Sequence, residues 1–167
     1  MSYQNRALFL DRDGIINVDS GYVHKKEDFV FVDGLFDLLK LYQDDGYKLI
    51  VVTNQSGIGR GYYSETDYMN LTEYMVNELL KEDIKIQAVY HCPHTPDDKC
   101  SCRKPRSGMF VAAQKDHKLD MKNSIMIGDK VSDMVAAKSA KVATRVLVSN
   151  ESCLDATEVV GSLKDIK

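Results

Sequence analysis

Short apolar runs alternate along this chain with segments of helical periodicity. Ala7-Leu8-Phe9-Leu10 is uninterrupted apolar sequence ending at Asp11, the pattern of a buried strand. The same pattern recurs over 47–53, 86–91, 124–129 and 144–148. Between the first two runs, Leu35, Leu38, Leu39 and Tyr42 keep helical spacing over residues 35–45, and Gly46 supplies a stop. Ser64 followed three residues later by Asp67 has capping-box form, predicting a helix to about Lys81 with Met75, Val76, Leu79 and Leu80 on its apolar face. Further helices are predicted over 107–117 and 132–139, and the tail from Ala156 reads as a last one. Residues 14–34 read as a loop or small hairpin, Gly57, Gly59 and Gly61 punctuate a second loop, and residues 92–106 form a polar third. Alternation of this kind implies an α/β fold, a doubly wound and mostly parallel sheet with helices on both faces. Nothing between the strands is long enough for a separate cap domain, so residues 1–167 are expected to form one domain.

Ligands of such sheets sit beyond the carboxyl ends of the strands. Asp11, Thr53, the loop after His91 and Asp129 all fall there. Asp11-Arg12-Asp13-Gly14 puts two carboxylates at spacing two, on one side of an extended chain. One can attack phosphorus while the other moves protons. A divalent cation would relieve the repulsion between carboxylate and phosphate, and hard cations prefer oxygen ligands. Taken alone, the pair reads equally well as a polar turn closing a strand. Thr53-Asn54-Gln55-Ser56 adds a hydroxyl and amides for phosphate oxygens, and Arg103-Lys104 adds positive charge for a phosphoryl group in transfer. Asp129 can complete a cation site; Asp133 reads either as part of it or as a first-turn helix acid.

In chain order these features resemble the haloacid dehalogenase-type phosphatases over about residues 6–148. Phe9 to Gly14 resembles the first motif of that family, Val52-Thr53-Asn54 the second, Lys104 the third, and Gly128 to Asp133 the fourth. The resemblance implies a Rossmann-like sheet with Asp11 as nucleophile and Asp13 as acid and then base. It also implies magnesium held by Asp11, the Asp13 carbonyl and Asp129, and Thr53 and Lys104 stabilising the phosphoryl group. The family usually has Thr after Asp-Gly; here it is Ile15.

The loop adds a second metal. Cys92, His94, Cys100 and Cys102 offer three sulfurs and an imidazole, a complete tetrahedral set for structural zinc that would fix Lys104 two residues on. Cys153 stands apart. With this loop the chain resembles the heptose 1,7-bisphosphate 7-phosphatases and the related histidinol-phosphate phosphatase domains. Asp19-Ser20-Gly21-Tyr22-Val23-His24 is similar to the substrate loop of the heptose enzymes, as is the stretch from Thr53 to Gly61. The stretch around Tyr22 reads otherwise as a hairpin strand with no ligand contact. The resemblance implies substrate contacts from Asp19, Ser20, Gly21, Tyr22, Thr53, Asn54, Gln55, Ser56, Arg60, Arg103, Lys104 and Lys130.

Composition narrows the partners. The chain is 44% hydrophobic and 28% charged with a net charge of −3, giving no global basic field for nucleic acid or anionic membrane. No apolar run approaches the ~18 residues that span a bilayer. The sequence reaches Asp11 before any signal-peptide core could form. The expectation is a cytoplasmic monomer acting on a small phosphorylated sugar, without nucleic acid or membrane. Histidinol phosphate is the nearest alternative substrate, a polynucleotide 3′-phosphate a more distant one, and a non-catalytic zinc-stabilised binding module the alternative of another class.

Overall fold

The structure, a computed structural model, describes residues 5–167. The first four residues of the N-terminal stretch read above against a signal peptide lie outside the described residues. Strands form at β1 (Ala7–Leu10), β2 (Lys48–Asn54), β3 (Ile86–Cys92), β4 (Ile125–Gly128), β5 (Thr144–Val148) and β6 (Glu158–Val160). Helices form at α1 (Leu35–Asp44), α2 (Ser56–Gly59), α3 (Glu65–Lys81), α4 (Gly108–His117) and α5 (Val131–Ser139). All strand pairs are parallel, in the order β3-β2-β1-β4-β5-β6.

Alternation along the strands splits the core into two halves. Leu8 and Leu10 of β1, with Leu49 and Val51 of β2, face one side and pack on Leu35, Leu38 and Leu39 of α1 and Leu71, Met75 and Leu79 of α3. Ala7 and Phe9, with Ile50 and Val52, face the other and pack on Met109, Phe110 and Ala113 of α4 and Met134, Ala136 and Ala137 of α5. Both faces are covered, which is why β1 reads as an unbroken apolar run. The capping box of α3 forms as read: Ser64 Oγ accepts from Asp67 N, and Ser64 N donates to the Asp67 carboxylate.

Two expectations change. The tail from Ala156 is not a helix. It adds β6 beside β5 and then a short 3-10 turn at Leu163–Asp165. The exposed edge of β5 offers a row of unpaired N–H and C=O groups, and the β-branched Val159-Val160 satisfies them better than a short isolated helix could. The glycine-punctuated loop after β2 contains one helical turn, α2, closed by Arg60 N donating to Ser56 O at 2.9 Å. Residues 14–34 are a small hairpin-like excursion, tied by an antiparallel bridge between Asn17 and Phe31.

Phe9 of β1 and Phe110 of α4 meet at 4.9 Å between ring centroids, and both are fully buried. Phe110→Ala is expected to lower stability by about 3–5 kcal/mol, read from urea denaturation.

Candidate active site

The chain passes β1, β2 and β3 outward, then returns to lay β4 on the other side of β1. This reversal opens a crevice at the carboxyl end of β1, and Asp11 is the first residue beyond that end. Asp129 follows β4, while Thr53 and Asn54 close β2. Parallel register therefore gathers side chains from positions far apart in sequence.

At the floor of the crevice lies a buried ion cluster. Lys104 Nζ sits 3.0 Å from Asp11 Oδ1 and 2.6 Å from Asp133 Oδ1, and donates to the carbonyl of Val52 at 2.8 Å. Burial opposes the lysine charge, but Asp11 and Asp133 outweigh it and raise its pKa, so the ammonium stays protonated. The other oxygen of Asp133 accepts from the main-chain N–H of Asp129 and of Lys130, each at 3.2 Å. By sequence, Asp133 reads either as a cation ligand or as a first-turn acid. The structure makes it a buried anchor for Lys104 that also caps α5. Asn54 fixes the lysine from behind: its side chain accepts from Lys104 N at 3.0 Å and donates to Lys104 O at 3.1 Å.

Among the described residues, Asp11 Oδ1 takes both of the carboxylate's bonds, from Lys104 and from Arg12 N at 2.8 Å. Burial, and then the nearby Asp133, push the Asp11 carboxyl up to about 7 against the pull of Lys104. Burial likewise raises Asp129. Three carboxylates thus share the buried Lys104 ammonium and the Lys130 ammonium beside Asp129, and the arrangement is still short of positive charge. Ligand oxygens of Asp11, Asp129 and Asp133 all lie within 4.8 Å of one another, and Asp129 Oδ1 is buried with no hydrogen-bond partner among the described residues. That orphaned oxygen and the charge deficit fit a divalent cation. Because Asp133 is taken up by Lys104 and two N–H groups, Asp11 and Asp129 are the side chains left to hold it.

Asp13 is held by a second network. Its Oδ1 accepts from Arg12 Nη2 at 2.9 Å, Arg12 Nε at 3.3 Å and Asn17 Nδ2 at 3.0 Å. Its Oδ2 accepts from Gln55 Nε2 at 3.0 Å. Arg12 is 1% exposed and also donates to the carbonyl of Val23 at 2.7 Å. Sequence reading passed over Arg12 and Asn17. The signal that could have found Arg12 is a charged residue between two acids that the strand direction sends into the protein rather than to solvent.

The four metal-type ligands of the loop converge. His94 Nδ1 lies 3.3 Å from Cys92 Sγ and 3.2 Å from Cys102 Sγ; Cys92 Sγ lies 3.7 Å from Cys100 Sγ and 3.0 Å from Cys102 Sγ. The cysteines form no disulfide. Burial, with the hydrogen bond to Cys102, pushes the Cys92 thiol up to about 12. Three thiols and an imidazole at these separations could hold zinc, which takes the cysteines as thiolates.

A cavity of about 540 Å³ opens above the acids, lined by Asp19, Gly21, Tyr22, Asn54, Ser56, Arg103, Lys104 and Lys130 among others. This gathers most of the residues read as substrate contacts. Asp19 faces Lys130 at 3.7 Å and accepts from Gly21 N at 3.0 Å. Ser20 and Arg60 are exposed and do not line the cavity. Thr53 is fully buried. Gln55 lines the cavity but is 2% exposed, with its amide spent on Asp13, Thr53 and Tyr63.

Sheet order and the placement of acids at the ends of β1 and β4 are those of the haloacid dehalogenase-like phosphatases. Residues 7–150 match the family model described as polynucleotide kinase 3 phosphatase. A D-glycero-alpha-D-manno-heptose-1,7-bisphosphate 7-phosphatase of Campylobacter jejuni is 52% identical over 89% of this chain and 85% of its own length. The D-glycero-beta-D-manno-heptose-1,7-bisphosphate 7-phosphatase of Helicobacter pylori J99 is 51% identical over 87% of this chain and 84% of its own. The crystal structure of D,D-heptose 1,7-bisphosphate phosphatase from B. bronchiseptica, complexed with magnesium and phosphate, superposes with a TM-score of 0.85 at 29% identity, covering 95% of this chain and 93% of that one. The chain belongs to the heptose 1,7-bisphosphate 7-phosphatase family within that class.

Gly14 is required by both backbone and site. Its φ is +93°, and a Cβ there would stand 2.1 Å from Asp129 Oδ2. Gly14→Ala is expected to cost about 1–3 kcal/mol of stability and to lower phosphatase activity about a hundredfold by displacing Asp129. Denaturation and phosphate release measure the two.

Proposed function

We propose that the chain removes the 7-phosphate from D-glycero-D-manno-heptose 1,7-bisphosphate, through an aspartyl-phosphate on Asp11, in the cytoplasmic assembly of nucleotide-activated heptose for lipopolysaccharide or a related glycan. The observation that carries the chemistry is the Asp11–Lys104–Asp133 cluster beside a fixed Asp13. Lys104 and Arg12 N hold Asp11 Oδ1, so Oδ2 is the oxygen left to attack phosphorus. As the phosphorus–leaving-oxygen bond breaks, its electron pair stays on the leaving oxygen, which takes a proton from Asp13. A water then attacks the phosphorus of the phosphorylated Asp11 while Asp13, now a carboxylate, accepts the water's proton. The bond between phosphorus and Asp11 breaks, and inorganic phosphate is released.

Lys104 and Thr53 stabilise the phosphoryl oxygens. Asp11, the Asp13 carbonyl and Asp129 would hold magnesium, which when bound supplies the positive charge the acids lack. Cys92, His94, Cys100 and Cys102 would hold zinc and stiffen the segment leading to Arg103 and Lys104. Arg103 and Lys130 give the non-reacting phosphate its charge partners, and Asp19, Ser56 and the Gly21-Tyr22 turn face the sugar hydroxyls. The size and polar rim of the cavity suit a compact sugar bisphosphate. The substrates named for the curated relatives support the same choice, and since one acts on the alpha and another on the beta anomer at nearly equal identity, both anomers belong in the assay.

Asp11→Asn is expected to remove about four orders of magnitude of activity. A phosphate-release panel with both heptose bisphosphate anomers, histidinol phosphate and a 3′-phosphorylated oligonucleotide should favour a heptose. Preference for histidinol phosphate or for the oligonucleotide would replace the substrate assignment, and full activity in the Asn variant would remove the nucleophile. Elemental analysis of reduced protein should find about one zinc per chain. Cys102→Ser should lose it and lower turnover.

A further inference from the structure

Tyr63 is not one of the acids; it lines the cavity beside Asp13 and Gln55, yet it is almost fully buried. Its position is built with care. Gly57 lies against the ring: a Cβ there would come within 2.1 Å of Tyr63 Cε1. On this ring stacks His24, at 4.9 Å between centroids and 7° between planes. The imidazole is itself pinned by Nδ1, 2.8 Å from the carbonyl of Tyr22. The Tyr63 hydroxyl donates to Gln55 Oε1. Burial pushes the phenol up to about 12, so the hydroxyl keeps its proton and remains a donor.

Gln55 carries that contact to the reaction. With Oε1 occupied by Tyr63, the Nε2 end donates to Asp13 Oδ2 at 3.0 Å and to Thr53 Oγ1 at 2.9 Å. Both amide protons are then used. Asp13 Oδ1 already accepts from Arg12 and Asn17. Oδ2, with one donor, is therefore the oxygen with a lone pair left to carry the catalytic proton. If the Gln55 amide turned over, Oε1 would face Asp13, and a proton on Oδ2 would be drawn to Gln55 rather than to the leaving oxygen. The turned amide would also leave the phenolic proton of Tyr63 without an acceptor among the described residues.

We propose that Tyr63 is a positioning residue: through Gln55 it fixes which way Asp13 presents Oδ2, and so directs the proton to the leaving group. The proposal rests on the reading of Asp13 as the general acid. In the step concerned, the phosphorus–leaving-oxygen bond breaks, the electron pair goes to the leaving oxygen, and the proton passes there from Asp13 Oδ2 while Asp11 Oδ2 bonds to phosphorus.

A leaving group that needs no proton separates this role from a structural one. Single-turnover release of the leaving group would be followed for the sugar bisphosphate, an alkyl ester, and for 4-nitrophenyl phosphate, an activated aryl ester. Tyr63→Phe keeps the ring between Gly57 and His24. It should slow the alkyl ester about tenfold and the aryl ester far less, out of the 10²–10⁴-fold a positioned acid supplies. Gln55→Leu should show the same selectivity, and adding Tyr63→Phe to it should cost nothing more. Melting curves establish folding of each variant. Equal slowing of both esters, or additive effects of the two substitutions, overturns the role of Tyr63. Asp13→Asn distinguishes the two levels. If it too spares the alkyl ester, Asp13 is not the acid and the proposal falls with that reading; if it is alkyl-selective and Tyr63→Phe is not, only the proposal falls.

Discussion

One buried ammonium holds this site together. Lys104 is 3% exposed and sits between Asp11 and Asp133, which are 5% and 1% exposed. Removing an ammonium and two carboxylates from water is expensive, and the mutual attraction repays it only with good geometry and further hydrogen bonds. The third ammonium proton meets the Val52 carbonyl, and Asp133 takes two N–H groups from the start of α5, while Asp11 Oδ2 stays open. The cluster ties the end of β2, the Cys/His loop and α5 to Asp11. Removing Lys104 would leave two carboxylates facing each other in a dry pocket, so the same interaction serves folding and chemistry.

Around it, polar side chains do framework work. Asn54 supplies an acceptor and a donor to the main chain of Lys104, taking the place of a strand neighbour that the irregular loop cannot provide. Gln55 does the comparable task for Asp13. The glycines mark the closest approaches. At Gly128 a Cβ would meet Asp133 Oδ2 at 2.4 Å, as at Gly14 it would meet Asp129. The acids are thus pressed against bare backbone, which keeps their orientation fixed at the expense of tolerance to substitution.

The loop of residues 92–106 links the two metal-type sites. Cys92 ends β3, and Cys102 precedes Lys104 by two residues. With little core of its own, the loop would gain order from a metal that draws its sulfurs and imidazole together. Its other anchor is the cluster at Lys104. Order in the loop and the charge beside Asp11 are therefore coupled over a few bonds.

The strands, the helices α1, α3, α4 and α5, and the acids at strand ends were legible because apolar periodicity and strand termini are local properties of the chain. The Cys92, His94, Cys100 and Cys102 set was legible for the same reason: its spacing is short. The last strand was not, since β6 forms only where β5 leaves an edge to pair with. Nor were Arg12, Asn17 and Tyr63 as parts of the Asp13 network. Arg12 looks like a solvated charge until the Val23 carbonyl and Asp13 are seen to enclose it. Asn54 and Gln55 read as ligand contacts, and only the fold shows their amides already engaged within the protein. Sequence alone determined which chemical groups are present and at which strand ends they stand. Tertiary structure decided which of them face each other, because a hydrogen bond between residues 13 and 55, or an ion pair between 104 and 133, depends on sheet order and loop closure that no local pattern encodes.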